Sequence, residues 1–141
     1  MPLASVALDE VTRYDAQLFP SERRAFVESW IRQPDATALG VVDGGRLVGY
    51  GVVRAARSGY KIGPLFADAA ELATRLFDRL AAFLPGDASL CLDVPEINPA
   101  AVALAESRGM SVVFETARMY AGPAPSLPMH RIFGVTTFEL G

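Results

Sequence analysis

The segment of residues 60–76, YKIGPLFADAAELATRL, constrains the fold more than any other part of the chain. Its first half is an apolar run typical of a strand, and its second half opens the most periodic stretch in the sequence. In that stretch the apolar residues recur at helical spacing: Leu72, Ala73, Leu76, Phe77 and Leu80. This spacing predicts an amphipathic helix over residues 68–84. A strand that runs directly into such a helix predicts a layered α/β fold.

The rest of the chain alternates in the same way. In chain order the pattern predicts a helix capped by Ser21, two strands joined by a turn at residues 43–45, and the strand and helix already described. A short apolar strand, SLCLDV, follows. The next helix has Asn98 as its cap and Pro99 as its first residue, and two strands over residues 111–120 and 131–140 close the chain.

Composition limits the classes of protein to consider. The chain has 141 residues, which predicts a single domain over residues 1–141. The net charge of −3 gives no basic face for nucleic acid. One cysteine and one histidine predict no metal site, and the absence of a long apolar run predicts no membrane span. The lone cysteine and the lack of a basic, apolar leader predict a cytoplasmic protein.

The order of elements resembles the GNAT superfamily of acetyl-CoA-dependent N-acetyltransferases. The stretches YKIGPLFAD, LDVPEIN, FETARMY and FGVTTFELG resemble, more closely, the C-terminal GNAT-like domain of tandem-domain acetyltransferases. This resemblance implies a GNAT-like α/β fold, with a mixed, mostly antiparallel sheet, helices on both faces and a V-shaped splay between two central strands. It also implies acetyl-CoA or CoA as co-substrate, and a partner GNAT domain or a homodimer.

The resemblance further implies which residues face the pantetheine arm of CoA. They line the strand before the periodic helix and the cap of the next helix: Ile62, Gly63, Pro64, Leu65, Phe66 and Asn98. Pro64 has no backbone N–H, so it must interrupt a strand ladder at this point. The alternative interpretation of Gly63 and Pro64 is a simple bulge at the end of a strand.

Two positions depart from the family pattern. Where GNAT proteins have a glycine-rich loop for the CoA pyrophosphate, this chain has Asp68 and Glu71, whose spacing predicts a capping box at the helix start. Where they often have a tyrosine that protonates the leaving thiolate, this chain has Ala105, which cannot donate a proton. Both departures bear on whether the chain binds CoA and catalyses transfer.

Asp93 and Glu96 are the candidate catalytic residues. They lie at the carboxyl end of the strand SLCLDV, where open α/β sheets build their sites. A carboxylate there can accept a proton from a substrate amine. The first functional hypothesis is therefore an N-acetyltransferase acting on a small amine. The alternative is a non-catalytic GNAT-like module for ligand binding, regulation or dimerisation, which has lost the pyrophosphate loop.

Overall fold

A computed structural model describes residues 1–18, 23–56, 59–86, 88–94, 98–110 and 128–135. Within them lie five strands: β1 Ala36–Asp43, β2 Arg46–Ala56, β3 Gly59–Ala67, β4 Leu90–Leu92 and β5 Ile132–Gly134. Four α-helices accompany the strands: α1 Leu8–Ala16, α2 Arg24–Ile31, α3 Ala70–Ala81 and α4 Pro99–Ser107. The helices and strands alternate along the chain as an α/β fold requires.

The five strands form one mixed sheet in the order β1-β2-β3-β4, and β5 also pairs with β3. β1, β2 and β3 run antiparallel, whereas β4 is parallel to β3 and β5 antiparallel to it. The turn between β1 and β2 contains Gly44 at φ 60° and Gly45 at φ 79°. Both are left-handed conformations that glycine adopts without a steric cost, so the predicted hairpin forms at that place.

Each face of the sheet is covered by helices. Alternate residues of the same strand enter opposite cores: Val53 and Leu65 pack with α3 and α4, whereas Val52 and Phe66 pack with α1 and α2. The apolar stripe predicted for α3 is buried against the first of these faces, at Ala73, Leu76, Phe77 and Leu80. The predicted fold class, a mixed sheet with helices on both faces, is confirmed.

The N-terminal helices differ most from the prediction. α1 was not predicted, because its inner face includes the polar residues Thr12 and Asp15. Asp15 is 1% exposed and accepts hydrogen bonds from Arg23, at 2.8 and 2.9 Å, and from the Tyr50 hydroxyl. This buried network joins α1, the residue before α2, and β2. Burial raises the pKa of Tyr50 and keeps its hydroxyl protonated as a donor.

Some predictions fall outside the described residues. These are the cap at Ser21, the strand over residues 111–120 and residues 136–140 of the last predicted strand. α2 itself begins at Arg24, later than predicted, and has no side-chain cap. No helix in the described part of the chain is both long and apolar enough to cross a membrane. The single domain over residues 1–141 stays a prediction.

The carboxylate of Glu10 connects α1 to the start of β2 through hydrogen bonds. Glu10 accepts two hydrogen bonds of 2.7 Å from Arg13 and a third, also 2.7 Å, from the backbone N–H of Leu47. These hydrogen bonds, those from Arg13 first, lower the pKa of Glu10 from 4.5 to about 2. A carboxyl whose pKa is lower in the folded state stabilises the fold above the unfolded pKa. That stabilisation is lost progressively as the pH falls from 4.5 through about 2.

We therefore expect Glu10→Gln to lower the free energy of unfolding by about 1–2 kcal/mol at pH 7, since charge-assisted hydrogen bonds are lost. The difference from the parent chain should shrink as the pH falls through about 2 and vanish only below it, where Glu10 is protonated in both states. Urea unfolding across this pH range measures it. Glu28→Gln, which removes an exposed pair with Arg32, is the control and should change little. A deficit that does not vary with pH would contradict this account.

Candidate active site

The predicted splay lies between β3 and β4. These two strands pair over only three residues, from Tyr60 with Leu90 to Ile62 with Leu92. Beyond that point β3 pairs instead with β5, through Leu65 with Gly134 and Phe66 with Ile132. On the opposite side of β5, the N–H of Val135 donates to the carbonyl of Asp93 at 2.9 Å. The two central strands separate as predicted, and residues 132–135 run between them.

Gly134 permits this close fit. A Cβ at this position would lie 2.6 Å from Leu92 Cδ1 and 3.3 Å from Leu65 Cβ, so any side chain would press against both flanking strands. Ile132, Phe133 and Val135 are each 4% exposed or less. The slot between β3 and β4 is therefore filled by the chain itself.

The predicted pantetheine residues on β3 have their own partners. Ile62 pairs with Leu92 of β4, and the carbonyl of Gly63 accepts a 2.9 Å hydrogen bond from Nε1 of Trp30 on α2. Pro64 follows Gly63 through a cis peptide bond, and the β2–β3 register shifts here, where Val52 alone opposes Gly63 and Pro64. Gly63 and Pro64 thus form a bulge, as in the alternative interpretation, but it lies inside β3 and not at the end of a strand. The bulge coincides with the place where β3 changes partner from β4 to β5.

Asn98 is buried, with 2% of its surface exposed, and its side chain bonds within the protein. Its Oδ1 caps α4 by accepting from the N–H groups of Ala100, at 3.1 Å, and Ala101, at 3.2 Å. Its Nδ2 donates to the carbonyl of Met129 at 3.1 Å and to that of Ile132 at 3.0 Å. The predicted cap is confirmed. Asn98 also holds the entry to β5, and both of its amide N–H donors are used.

The capping box predicted at Asp68 and Glu71 is wrong. α3 begins at Ala70 and has no side-chain hydrogen bond at its cap, Ala69. The Asp68 side chain does not cap α3, because it has partners elsewhere. Its Oδ1 accepts hydrogen bonds from the Tyr14 hydroxyl at 2.9 Å and from Nε of Arg131 at 2.9 Å.

Arg131, the residue directly before β5, joins Asp68 and Tyr14 to that strand. Its Nη2 donates to Oε1 of Gln17 at 2.9 Å, and its guanidinium carbon lies 5.1 Å from the centre of the Tyr14 ring. Burial raises the pKa of Tyr14, so its hydroxyl stays protonated as a donor to Asp68. The sequence did not point to Arg131, because its partners are distant in the chain.

Of the two candidate catalytic carboxylates, Asp93 lies directly after β4 and forms an ion pair with Lys61 of β3. Both side chains are mostly buried, 14% and 20% exposed. Lys61 precedes Ile62, so the pair bridges the two strands just where they separate. Glu96 lies outside the described residues. The roles assigned to Asp93, Glu96 and the pantetheine residues stay predictions.

With β5 in place, the slot does not fit a pantetheine arm. The edge of β3 that the resemblance assigns to pantetheine is paired with β5 at Leu65 and Phe66. Asn98, the predicted cofactor contact on α4, is hydrogen-bonded to the approach to β5. Ala105, which stands where the family has its tyrosine, is a half-buried residue of α4 and brings no proton donor.

Comparison with known families agrees with this architecture. The family described as "Acetyltransferase (GNAT) domain" matches residues 11–134, from within α1 to the end of β5. The chain belongs to the GNAT acetyltransferase family. The matched region contains every described strand of this GNAT chain and the splay between β3 and β4.

Among characterised relatives, the GNAT chain is 25% identical over 134 residues to a holothin acyltransferase from a Pseudoalteromonas species, covering 95% of this chain and 46% of that protein. The structure of a putative acetyltransferase from Pyrococcus horikoshii matches 94% of this chain and 43% of its own length, at 25% identity and a TM-score of 0.75. This chain thus spans less than half the length of either protein.

A ribosomal-protein-alanine N-acetyltransferase from Brucella melitensis biovar Abortus shares the fold over almost its whole length. It aligns with 86% of this chain and 96% of its own, at a TM-score of 0.62 and 17% identity. At that identity the likeness concerns the fold alone.

Asn98 allows a direct test of how β5 is held. We expect Asn98→Ala to lower the free energy of unfolding by about 2–4 kcal/mol, because a cap is lost and two carbonyls lose their donor. Asn98→Asp keeps the capping oxygen but points an acceptor at those carbonyls, so it should also destabilise the fold. Urea unfolding measures both variants, with the exposed Glu106→Ala of α4 as control. An Asn98→Asp chain as stable as the parent would show that the amide donors contribute nothing.

Proposed function

We propose that this protein functions in N-acyl transfer from an acyl-CoA to a small amine. Acetyl-CoA is the first acyl donor to test. The observation that carries the proposal is the match of residues 11–134 to the GNAT acetyltransferase domain. The 25% identity to an acyltransferase over 95% of the chain supports it. The amine and the cytoplasmic location are parts of the proposal, and a single cysteine, Cys91, is compatible with that compartment.

Within this proposal Asp93 is the candidate base for the amine, with Glu96 as the second. Asp93 directly follows β4 at the mouth of the splay, and its carboxylate forms an ion pair with the ammonium of Lys61. An ammonium beside the carboxylate also marks a place where a cationic amine can exchange for Lys61. Fold alone does not establish this role, because function depends on the site.

A second candidate role for this chain is that of a non-catalytic GNAT module, and the position of β5 favours it. A ligand entering the slot must expose Ile132, Phe133 and Val135, which are buried at present. At about 2 kcal/mol for each side chain, the cost is ~6 kcal/mol, or about four orders of magnitude in affinity. In this role a second GNAT domain holds the acyl-CoA, and this chain supports it.

Thermal unfolding in the presence of acetyl-CoA and of CoA separates the two roles. A ligand at about 100 times its dissociation constant stabilises a fold by about 2.7 kcal/mol, which raises the melting temperature by several degrees. The catalytic role requires this rise. Unchanged melting at millimolar concentrations of both ligands would reject the catalytic role for this chain and leave the supporting one.

For the catalytic role we expect Asp93→Asn to lower kcat by about 10²–10⁴-fold, the range for loss of a general base. Lys61→Gln is the matched variant, because it breaks the same ion pair and leaves the carboxylate in place. It should retain most of kcat, measured as acylation of an amine panel. If the two variants lose activity equally, Asp93 acts only through the ion pair. Glu96→Gln tests the second carboxylate in the same assay.

A further inference from the structure

A groove at the edge of the sheet opposite β4 has the character of an interface. It lies between β1 and α3 and has a volume of about 480 Å³. We call it the β1–α3 groove. Its lining comes from the start of the chain, β1, α3 and the turn after α3: Met1, Pro2, Leu39, Gly40, Val41, Val42, Arg75, Leu76, Arg79 and Phe83. None of the predicted acyl-transfer residues is among them.

Exposed apolar side chains gather in this groove. In the described part of the chain, the large hydrophobic residues that stand exposed are Met1, Val42 and Phe83, at 60%, 36% and 62%. All three line the groove. Single exposed apolar residues are ordinary, but a cluster around one concavity is typical of a surface that a partner covers.

The charges in the groove are unbalanced. Arg75 and Arg79 lie one turn apart on α3, and no described acidic residue forms an ion pair with either of them. No acidic residue lines the groove. Three other arginines with exposed or part-exposed side chains do have partners: Arg24 with Asp9, Arg32 with Glu28, and Arg108 with Asp78. The groove therefore offers two guanidinium groups beside apolar surface, and none of its lining residues is an anion.

The edge of β1 adds backbone groups to the groove. Met1 and Pro2 cover the middle of β1, where the N–H of Gly40 donates to the carbonyl of Met1 at 2.9 Å and Pro2 bridges to Leu39. Past Gly40, no described residue pairs with the outer edge of β1. Such an edge accepts an added strand through its main-chain hydrogen bonds.

From these features we propose that the β1–α3 groove docks an extended, acidic segment of a partner protein. The segment adds to β1 as a strand, places carboxylates on Arg75 and Arg79, and packs apolar side chains against Val42 and Phe83. A second copy of this chain does not fit. A two-fold contact pairs the same patch with itself, which brings four arginines together without an acid.

The inference is independent of the proposed acyl transfer, since the groove and the slot share no residue. The probes are two short capped peptides with the same alternating valines, one with glutamates and the other with lysines between them. Fluorescence anisotropy measures their binding to the chain. We expect the glutamate peptide to bind at least about tenfold more tightly than the lysine peptide.

Variants identify the surface that binds. Arg75→Glu with Arg79→Glu should weaken binding of the glutamate peptide by about tenfold or more, and Phe83→Ser should weaken both peptides. All three side chains are exposed, so the fold should persist, which the melting temperature checks. Arg32→Glu, directly after α2, reverses one exposed charge away from the groove; it is the control and should leave binding unchanged.

Three outcomes would overturn the proposal: no binding of the glutamate peptide, equal binding of the two peptides, or an equal loss in the Arg32→Glu control. A fourth would assign the groove to a different occupant. If sedimentation shows a dimer that Phe83→Ser dissociates, a second copy covers the groove. None of these results bears on the melting response to CoA, so the two proposals fail separately.

Discussion

β3 is hydrogen-bonded along both of its edges, and the rest of the structure depends on how this is achieved. On one edge it pairs with β2 over almost its whole length. On the other it pairs first with β4 and then with β5. The change of partner occurs at Gly63 and Pro64, where proline has no N–H to offer and the β2–β3 register shifts. A buried strand cannot leave its backbone groups unpaired, so something must occupy the edge beyond that point.

The surrounding side chains hold β5 in that place. Asn98 binds the carbonyls on the approach to it, and Arg131, just before it, is anchored by Asp68 and Gln17. On α2, the indole N–H of Trp30 donates a hydrogen bond to the carbonyl of Gly63. These contacts come from α1, α2, α4 and the sheet together. The architecture of the GNAT family is thus retained, while the slot that the resemblance assigns to pantetheine is closed by the chain itself.

This arrangement separates what the fold supports from what the site supports. Family membership supports acyl transfer, whereas the closed slot counts against CoA binding at this place and Ala105 removes the usual proton donor. The large hydrophobic side chains that stand exposed in the described residues lie at the other edge of the sheet, in the β1–α3 groove. A domain whose slot is filled and whose exposed apolar surface faces elsewhere is suited to work with a partner.

Local patterns in the sequence were sufficient for most of the elements. The spacing of leucines predicted α3, two glycines predicted the β1–β2 turn, and Asn98 with Pro99 predicted the start of α4. α1 was missed because part of its buried face is polar and is satisfied by distant partners such as Arg23 and Tyr50. Asp68 was misassigned for the same kind of reason, since a capping box is the best partner visible within a few residues.

The sequence by itself determined α3, the start of α4, the β1–β2 turn and the α/β class, because periodicity, caps and turn glycines act over one or two turns of chain. It left the bulge at Gly63 and Pro64 as one of two interpretations. Only the tertiary structure decided what fills the splay. The pairing of Asp68 with Arg131 spans 63 residues and that of Asn98 with Ile132 spans 34. Contacts at such separations leave no local pattern, because each partner is chosen by what the folded sheet brings within hydrogen-bond reach.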